Sequence, residues 1–241
     1  MNNVELIRFE NPDQLARAVA RAWLDEIAIA NRAGRPHYVA LSGGRITLKF
    51  FATVIELAAA EQLSLGNVHF FWADERCVPP DDAESSFGVA HIAFFRPLGI
   101  AANQIHRIPG EQPPERAAEW ANAEIKRLVP LNQSGQPELD LIFLGLGEDG
   151  HVASLFPNEP ESARMNPTIY RAISQSPKPP PHRVTLGYAA IAAAKNVWVL
   201  ASGAGKETAL RDSLQIGGKL PLGRVLQLRT QTKVFTDIPV D

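Results

Sequence analysis

Four apolar runs in this 241-residue chain stop abruptly at glycine or charge: VALSGGR, FFWADER, IFLGLGEDGH and WVLASGAGK. Apolar runs without polar alternation suit strands buried on both faces of a parallel sheet. Segments of helical spacing lie between them. In the first, Asn11 can cap the helix and Pro12 suits its first position. Leu15, Val19, Trp23, Ile27 and Ala30 then recur on one face until Gly34 closes it. RITLKFFATVIELAAAEQ and PPERAAEWANAEIKRLV read as further helices, and ESSFGVAHIAFFRPLG as a shorter one. VELIRF, VHFFWADER, HRVTLGY, NVWVLAS and TKVFTD read as strands, with YAAIAAAK and GKETALRDSL as helices among the later ones. SPKPPPHR carries four prolines and must be extended loop. The alternation predicts an α/β fold with a mainly parallel sheet, doubly wound, in one domain over residues 1–241.

Composition narrows the function. Lys and Arg number 24 against 26 Asp and Glu, a formal net charge of −2. No basic excess exists to neutralise a nucleic-acid backbone, although a local anion site remains open. The single Cys77 suits a reducing compartment. The opening MNNVELIRFENPDQ has no basic segment followed by an apolar one, and no apolar run approaches bilayer length. The expectation is a cytoplasmic protein with no nucleic-acid or membrane partner; oligomeric state is left open.

In doubly wound folds, ligands bind beyond the carboxyl ends of the parallel strands. SGGR, ADER, GEDGH and SGAGK all fall there. Around Ser42, Gly43, Gly44 and Arg45 the glycines let backbone N–H groups approach an anion at a helix start, although a tight turn would use them equally. Ser42 lies outside any G-x-S-x-G elbow, so it is no expected nucleophile. Asp74, Glu75 and Arg76 can serve a ligand or form a structural ion-pair cluster. Gly147-Glu148-Asp149-Gly150-His151 is the sharpest signal. It presents His151, a base at neutral pH, two residues from a carboxylate able to fix its tautomer. A solvated Asp-Gly turn is the plain alternative. Gly203-Ala204-Gly205-Lys206 is no P-loop, because Leu200 and Glu207 break the pattern. Lys206 at a helix start still suits one phosphate, or is merely an exposed lysine. Arg183 can close over an anion or face solvent. His37, His69, His91, His106 and His182 show no metal-ligand spacing, and no G-x-G-x-x-G follows the first strands, so neither a metal nor a cofactor is expected.

SGGRITL, FFWADERCVPPDDAESSF, DLIFLGLGEDGHVASLFP, HRVTLGY and SGAGK, in this order, resemble the motifs of the 6-phosphogluconolactonases, within the superfamily that includes glucosamine-6-phosphate deaminases. The likeness runs from about residue 40 past residue 206. It implies a Rossmann-like sheet sandwiched between helices. It also implies hydrolysis of 6-phosphoglucono-1,5-lactone to 6-phosphogluconate in the oxidative pentose phosphate pathway. Deaminases resemble one another in an Asp-Glu-Tyr run where Asp74-Glu75-Arg76 stands here. They carry Ala-Phe-Asn-Glu-Pro where this chain has Ala153-Ser154-Leu155-Phe156-Pro157. Arg45-Ile46-Thr47 departs from the family's usual Ser-Thr-Pro or Arg-Thr-Pro, which leaves backbone donors to that loop, and Ser85-Ser86 replaces a usual Ser-Asn.

On this reading His151 is the acid–base group, Asp149 its orienter and Arg76 the oxyanion partner. Ser42, Gly43, Gly44, Arg45, Asp74, Arg183 and Lys206 bind the sugar-phosphate lactone, with Lys206 and the paired glycines on the phosphate. The alternatives are an amino-sugar phosphate deaminase or isomerase, a non-catalytic sugar-phosphate sensor, and another hydrolase using Ser42 or Ser154.

Overall fold

The computed structural model describes residues 3–239. The strands in chain order are β1 (Asn3–Arg8), β2 (His37–Leu41), β3 (Val68–Trp72), β4 (Asp74–Arg76), β5 (Leu141–Gly145), β6 (Tyr170–Ile173), β7 (Arg183–Leu186), β8 (Asn196–Ala201) and β9 (Gln231–Thr236). The helices are α1 (Pro12–Arg32), α2 (Arg45–Glu61), α3 (Ser86–Ala90), α4 (Arg96–Leu98), α5 (Pro114–Leu128), α6 (Glu161–Arg164), α7 (Tyr188–Ala193), α8 (Glu207–Leu214) and α9 (Pro221–Leu228). Six strands form a wholly parallel sheet in the order β1-β9-β8-β5-β2-β3. From β2 the chain winds outward to β3. From β5 it winds the other way, through β8 to β9. The winding therefore reverses between β2 and β5, and their carboxyl ends open a crevice there.

The first helix forms as its sequence predicts. Asn11 Oδ1 accepts from the N–H groups of Asp13 at 3.1 Å and Gln14 at 2.9 Å, and Pro12 occupies the first turn. Leu15, Val19, Trp23, Ile27 and Ala30 are all fully buried. Trp23 anchors the core between this helix and the sheet, 5.6 Å from Phe50 and 5.4 Å from Phe143, ring to ring. Gly34, at φ +61°, takes the left-handed turn after the helix.

The structure corrects the sequence reading in three places. VHFFWADER is not one strand. It breaks at Ala73, and Asp74–Arg76 enters a second, antiparallel sheet of order β4-β7-β6. That sheet was not anticipated, because its strands are only three or four residues long and so carry almost no periodic signal. The segment ESSFGVAHIAFFRPLG is helical but widens into a π-turn over His91–Phe95 between α3 and α4. The proline-rich stretch is irregular, as expected, up to the start of β7. Among the described residues no helix is long and apolar enough to cross a membrane.

Two ionisable groups lie at the opposite end of the sheet from the crevice. His37 accepts from Trp23 Nε1 at 3.1 Å, and burial pushes its pKa down to about 4. Burial raises the Glu26 carboxyl to about 7 against the opposing charge of Lys233. Their contributions to stability run in opposite directions. His37 is neutral when folded, so its contribution is lost as pH falls from 6.5 towards 4. Glu26 holds its proton when folded, so its contribution is lost as pH rises from 4.5 through 7. Glu26→Gln removes the second slope. Chemical denaturation should show the variant losing stability between pH 6.5 and 4.5 more steeply than the wild type.

Candidate active site

The turn after β5 is built around its glycines. The Gly147 N–H donates to the His151 carbonyl at 2.9 Å, and the Gly150 N–H donates to the Gly147 carbonyl at 3.0 Å. Gly150 sits at φ +83°, and a side chain there would also lie 2.7 Å from Leu220 Cδ1. His151 Nδ1 bonds Asp149 Oδ1 at 2.5 Å. Phe156 stands 4.9 Å from the imidazole, ring to ring, and the Arg183 guanidinium carbon lies 5.7 Å from the centroid of the Phe156 ring. Burial lowers the His151 pKa by more than the Asp149 hydrogen bond raises it. The carboxylate favours the charged imidazolium, but desolvation outweighs it, and the resting ring is neutral. With Asp149 ionised, the Nδ1 position carries the proton and Nε2 keeps the lone pair. Burial pushes the Asp149 carboxyl up, but the His151 bond and the Lys178 charge together hold it below its ordinary value.

Two helix starts face the same crevice. Gly44 precedes α2 at φ +133°, and no side chain caps the first-turn N–H groups of that helix. Thr47 Oγ1 donates to the Ser42 carbonyl at 3.1 Å, while the Ser42 and Ser86 hydroxyls are buried without a partner among the described residues. Before α8, Gly203 and Gly205 take φ of +92° and +86°. The Ser202 hydroxyl and the Gly203 N–H donate to the two carboxylate oxygens of Asp237, at 2.8 and 3.2 Å, which ties this loop to the end of β9. α8 likewise begins without a side-chain cap. Burial, then the positive charge of Arg45, lowers the Lys206 pKa. Arg45 itself is exposed and lies 3.8 Å from Glu148.

The charged run on β4 divides its tasks. Glu75, 2% exposed, accepts from the N–H groups of Arg76, Ser86 and Phe87 at 2.7, 2.8 and 2.7 Å and from the Ser85 hydroxyl at 3.2 Å. It is a structural clamp. Asp74 Oδ2 accepts from the Ser154 hydroxyl at 2.7 Å. Arg76 donates to the Glu84 carbonyl at 2.7 Å, and its buried Nε–H has no acceptor among the described residues. Arg183 stands apart from the expectation of a free anion ligand. Its Nε donates to Pro180 O at 3.1 Å, and its Nη2 donates to Lys178 O and Pro179 O at 3.2 and 2.9 Å. It fastens the proline-rich loop from beneath. That loop brings in Lys178, which sequence reasoning missed, with Nζ 3.5 Å from Asp149 Oδ1. Only the loop's tertiary path puts Lys178 here; nothing local marks it.

These parts enclose a cleft of about 280 Å³. Ser42, Gly43, Gly44, Arg45, Asp74 and Arg76 line one part of its wall, and His151, Arg183 and Lys206 line another; Asp149 stands behind His151. Five Lys or Arg side chains border it against two carboxylates, although the whole chain is slightly acidic. Among the described residues no cluster of three or more His, Cys, Asp or Glu is placed to hold a metal ion. Burial pushes the Cys77 thiol up to about 11, the opposite of a reactive thiol. A Cβ on residue 147 would overlap the His151 ring. Gly147→Ala should therefore fold but lose the downfield NMR resonance of the His151 Nδ1 proton; an unchanged resonance would mean that the turn yields without disturbing the pair.

In a doubly wound α/β fold, a His–Asp pair facing two cationic helix starts has the chemistry to move a proton on a small bound anion. Comparison with known proteins specifies it further. The family described as glucosamine-6-phosphate isomerases/6-phosphogluconolactonase matches residues 10–235, and the chain belongs to that family. It is 34% identical over 221 residues to the 6-phosphogluconolactonase of Mycobacterium tuberculosis, covering 89% of this chain and 86% of that protein. It is 33% identical over 187 residues to the 6-phosphogluconolactonase of Haemophilus influenzae, covering 78% and 77%. The structure of 6-phosphogluconolactonase from Trypanosoma brucei superposes with a TM-score of 0.84 at 26% identity, covering 98% and 97%.

Proposed function

We propose that this chain hydrolyses 6-phosphoglucono-1,5-lactone to 6-phosphogluconate in the oxidative pentose phosphate pathway. The observation that carries this reading is the 2.5 Å His151–Asp149 bond, which leaves Nε2 free, in a cationic cleft, on an imidazole that burial keeps neutral. The relatives named above supply the substrate class. His151 Nε2 takes a proton from water as its oxygen bonds the lactone carbonyl carbon. Arg76, with an Nε–H lacking an acceptor, steadies the charge that develops on the carbonyl oxygen. When the ring C–O bond breaks, His151 returns the proton to the departing oxygen. The amides of Gly43, Gly44 and the first turn of α2, with Lys206, hold the phosphate. Asp74 and Ser42 line the wall between.

The rival serine hydrolase has little support. Ser154 is fully buried and gives its proton to Asp74, and no base bonds Ser42. The deaminase reading is weakened by Arg76 and by the Ala153–Pro157 run.

His151→Ala should lower turnover by about 10²-fold or more in a folded protein, since general acid–base catalysis typically contributes that much. In the wild type, kcat/KM should fall on the acid side with a midpoint below 6.5, because the imidazole must be neutral and burial lowers its pKa. Asp149→Asn removes an interaction that favours the imidazolium. That limb should then move to still lower pH while the rate drops, and a limb moving upward would contradict the assignment.

The phosphate subsite separates this substrate from lactones in general. Binding energy from a remote group serves to place the carbonyl against His151. Each charge-assisted hydrogen bond contributes roughly 1.5–3 kcal/mol. Unphosphorylated gluconolactone should have a kcat/KM lower by at least about 10²-fold. Lys206→Ala should impair the phosphorylated lactone far more than the unphosphorylated one. A proton-release assay corrected for spontaneous opening measures both. Equal loss on the two lactones would remove Lys206 as a phosphate ligand, and no wild-type preference would favour a general lactonase.

A further inference from the structure

The mechanism above does not use Lys178. It lies on the loop between β6 and β7, and that loop is fastened at several points. Arg183 donates to the carbonyls of residues 178, 179 and 180. The Ser176 hydroxyl donates to the Lys178 carbonyl at 2.8 Å and accepts from the Lys178 N–H at 3.2 Å. The Ser176 N–H donates to Pro181 O at 2.8 Å, and the Cys77 N–H ties His182 O to β4 at 2.9 Å. A loop so fixed holds a lysine stem in place with little further loss of freedom. The ammonium reaches Asp149 Oδ1, the same oxygen that His151 Nδ1 bonds, and it also borders the cleft.

We propose that Lys178 is the third member of the Asp149–His151 unit, a positioning residue whose ammonium holds the carboxylate against the imidazole and sets how protons distribute between them. The proposal rests on the lactonase reading only for its catalytic consequence. Because both contacts share Oδ1, Nζ stands within about 6 Å of the imidazole Nδ1, close enough for a unit charge to act strongly in a half-buried site. The other charges around His151 are Asp149 and Glu148 on its own turn, and Asp74 and Arg76 on β4. Arg183 stands beyond Phe156, and Lys206 lies across the cleft. Asp149 and Asp74 favour the imidazolium, and Lys178 opposes them. Lys178 thus adds to burial in keeping the base unprotonated while helping Asp149 to remain ionised. A carboxylate alone beside a histidine would give the second at the expense of the first.

The test is NMR titration of the His151 ring protons in the ligand-free protein, for wild type, Lys178→Met and Lys178→Arg. In Lys178→Met the midpoint should rise by about 0.5–2 pH units, the range for a unit charge about 6 Å away as the surroundings vary from water-like to half-buried. Lys178→Arg should restore the wild-type midpoint. The acid limb of kcat/KM on the phosphorylated lactone should move up by the same amount in the Met variant. A loop that merely lost packing would not shift the midpoint in this direction and recover it with arginine. An unmoved midpoint in Lys178→Met overturns the proposal whatever the activity. A shifted midpoint in a protein inactive on the lactone would uphold it and count against the lactonase reading instead.

Discussion

The arrangement hangs on the backbone N–H and C=O of Ala73. Its N–H donates to the Leu41 carbonyl at the end of β2 at 2.7 Å, and its carbonyl accepts from the Leu186 N–H of β7 at 2.8 Å. One residue closes the parallel sheet and opens the antiparallel one. Asp74 and Arg76 consequently face the crevice left by the reversal between β2 and β5 instead of continuing the sheet edge. The same junction sets Arg76 opposite Arg183 in the β4–β7 pairing. Two arginines side by side need separate partners, and they have them: Arg76 donates to Glu84, and Arg183 donates to the proline loop. Placing cations in the cleft and pinning the loop above it are therefore one structural solution.

Several buried charges keep the scaffold rigid instead of meeting a ligand. Glu75 collects four donors, three of them at the start of α3. Arg229 donates to the carbonyls of Ile191, Ala192, Ala194 and Lys195, closing the end of α7. Removing one partner from such a set leaves the others buried and unsatisfied, which is why isolated burial of these ions is tolerable only as complete networks.

Much of this was legible in the sequence, for identifiable reasons. The cap at Asn11 and the stripe from Leu15 to Ala30 are local patterns, and local patterns survive folding. The four clusters at strand ends were legible because a parallel sheet sends all its carboxyl ends to one edge. What stayed hidden depends on contacts distant in the chain. Asp74 and Glu75 are neighbours of the same charge, yet one meets Ser154, 80 residues on, and the other meets the backbone of residues 86 and 87. His69 and His106 have no metal-like spacing, yet they meet at 3.0 Å with Glu124 behind them. Lys178 gave no local signal because its partner, Asp149, belongs to another loop. Distance in sequence, not weakness of interaction, hid these residues.

The two helix starts at the cleft have a consequence for how order is distributed in the molecule. α2 and α8 both begin with backbone donors that no side chain among the described residues caps. A serine, threonine, asparagine or aspartate can satisfy such donors, as Asn11 does for α1 and Ser85 for α3. Here a doubly charged phosphate would serve as a shared cap for two helices from separate halves of the winding. It would join them across the crevice as a staple joins two sheets of paper. In that sense the ligand is a late-arriving piece of secondary structure, and amide hydrogen exchange at the first turns of α2 and α8 would record its arrival at both helices together.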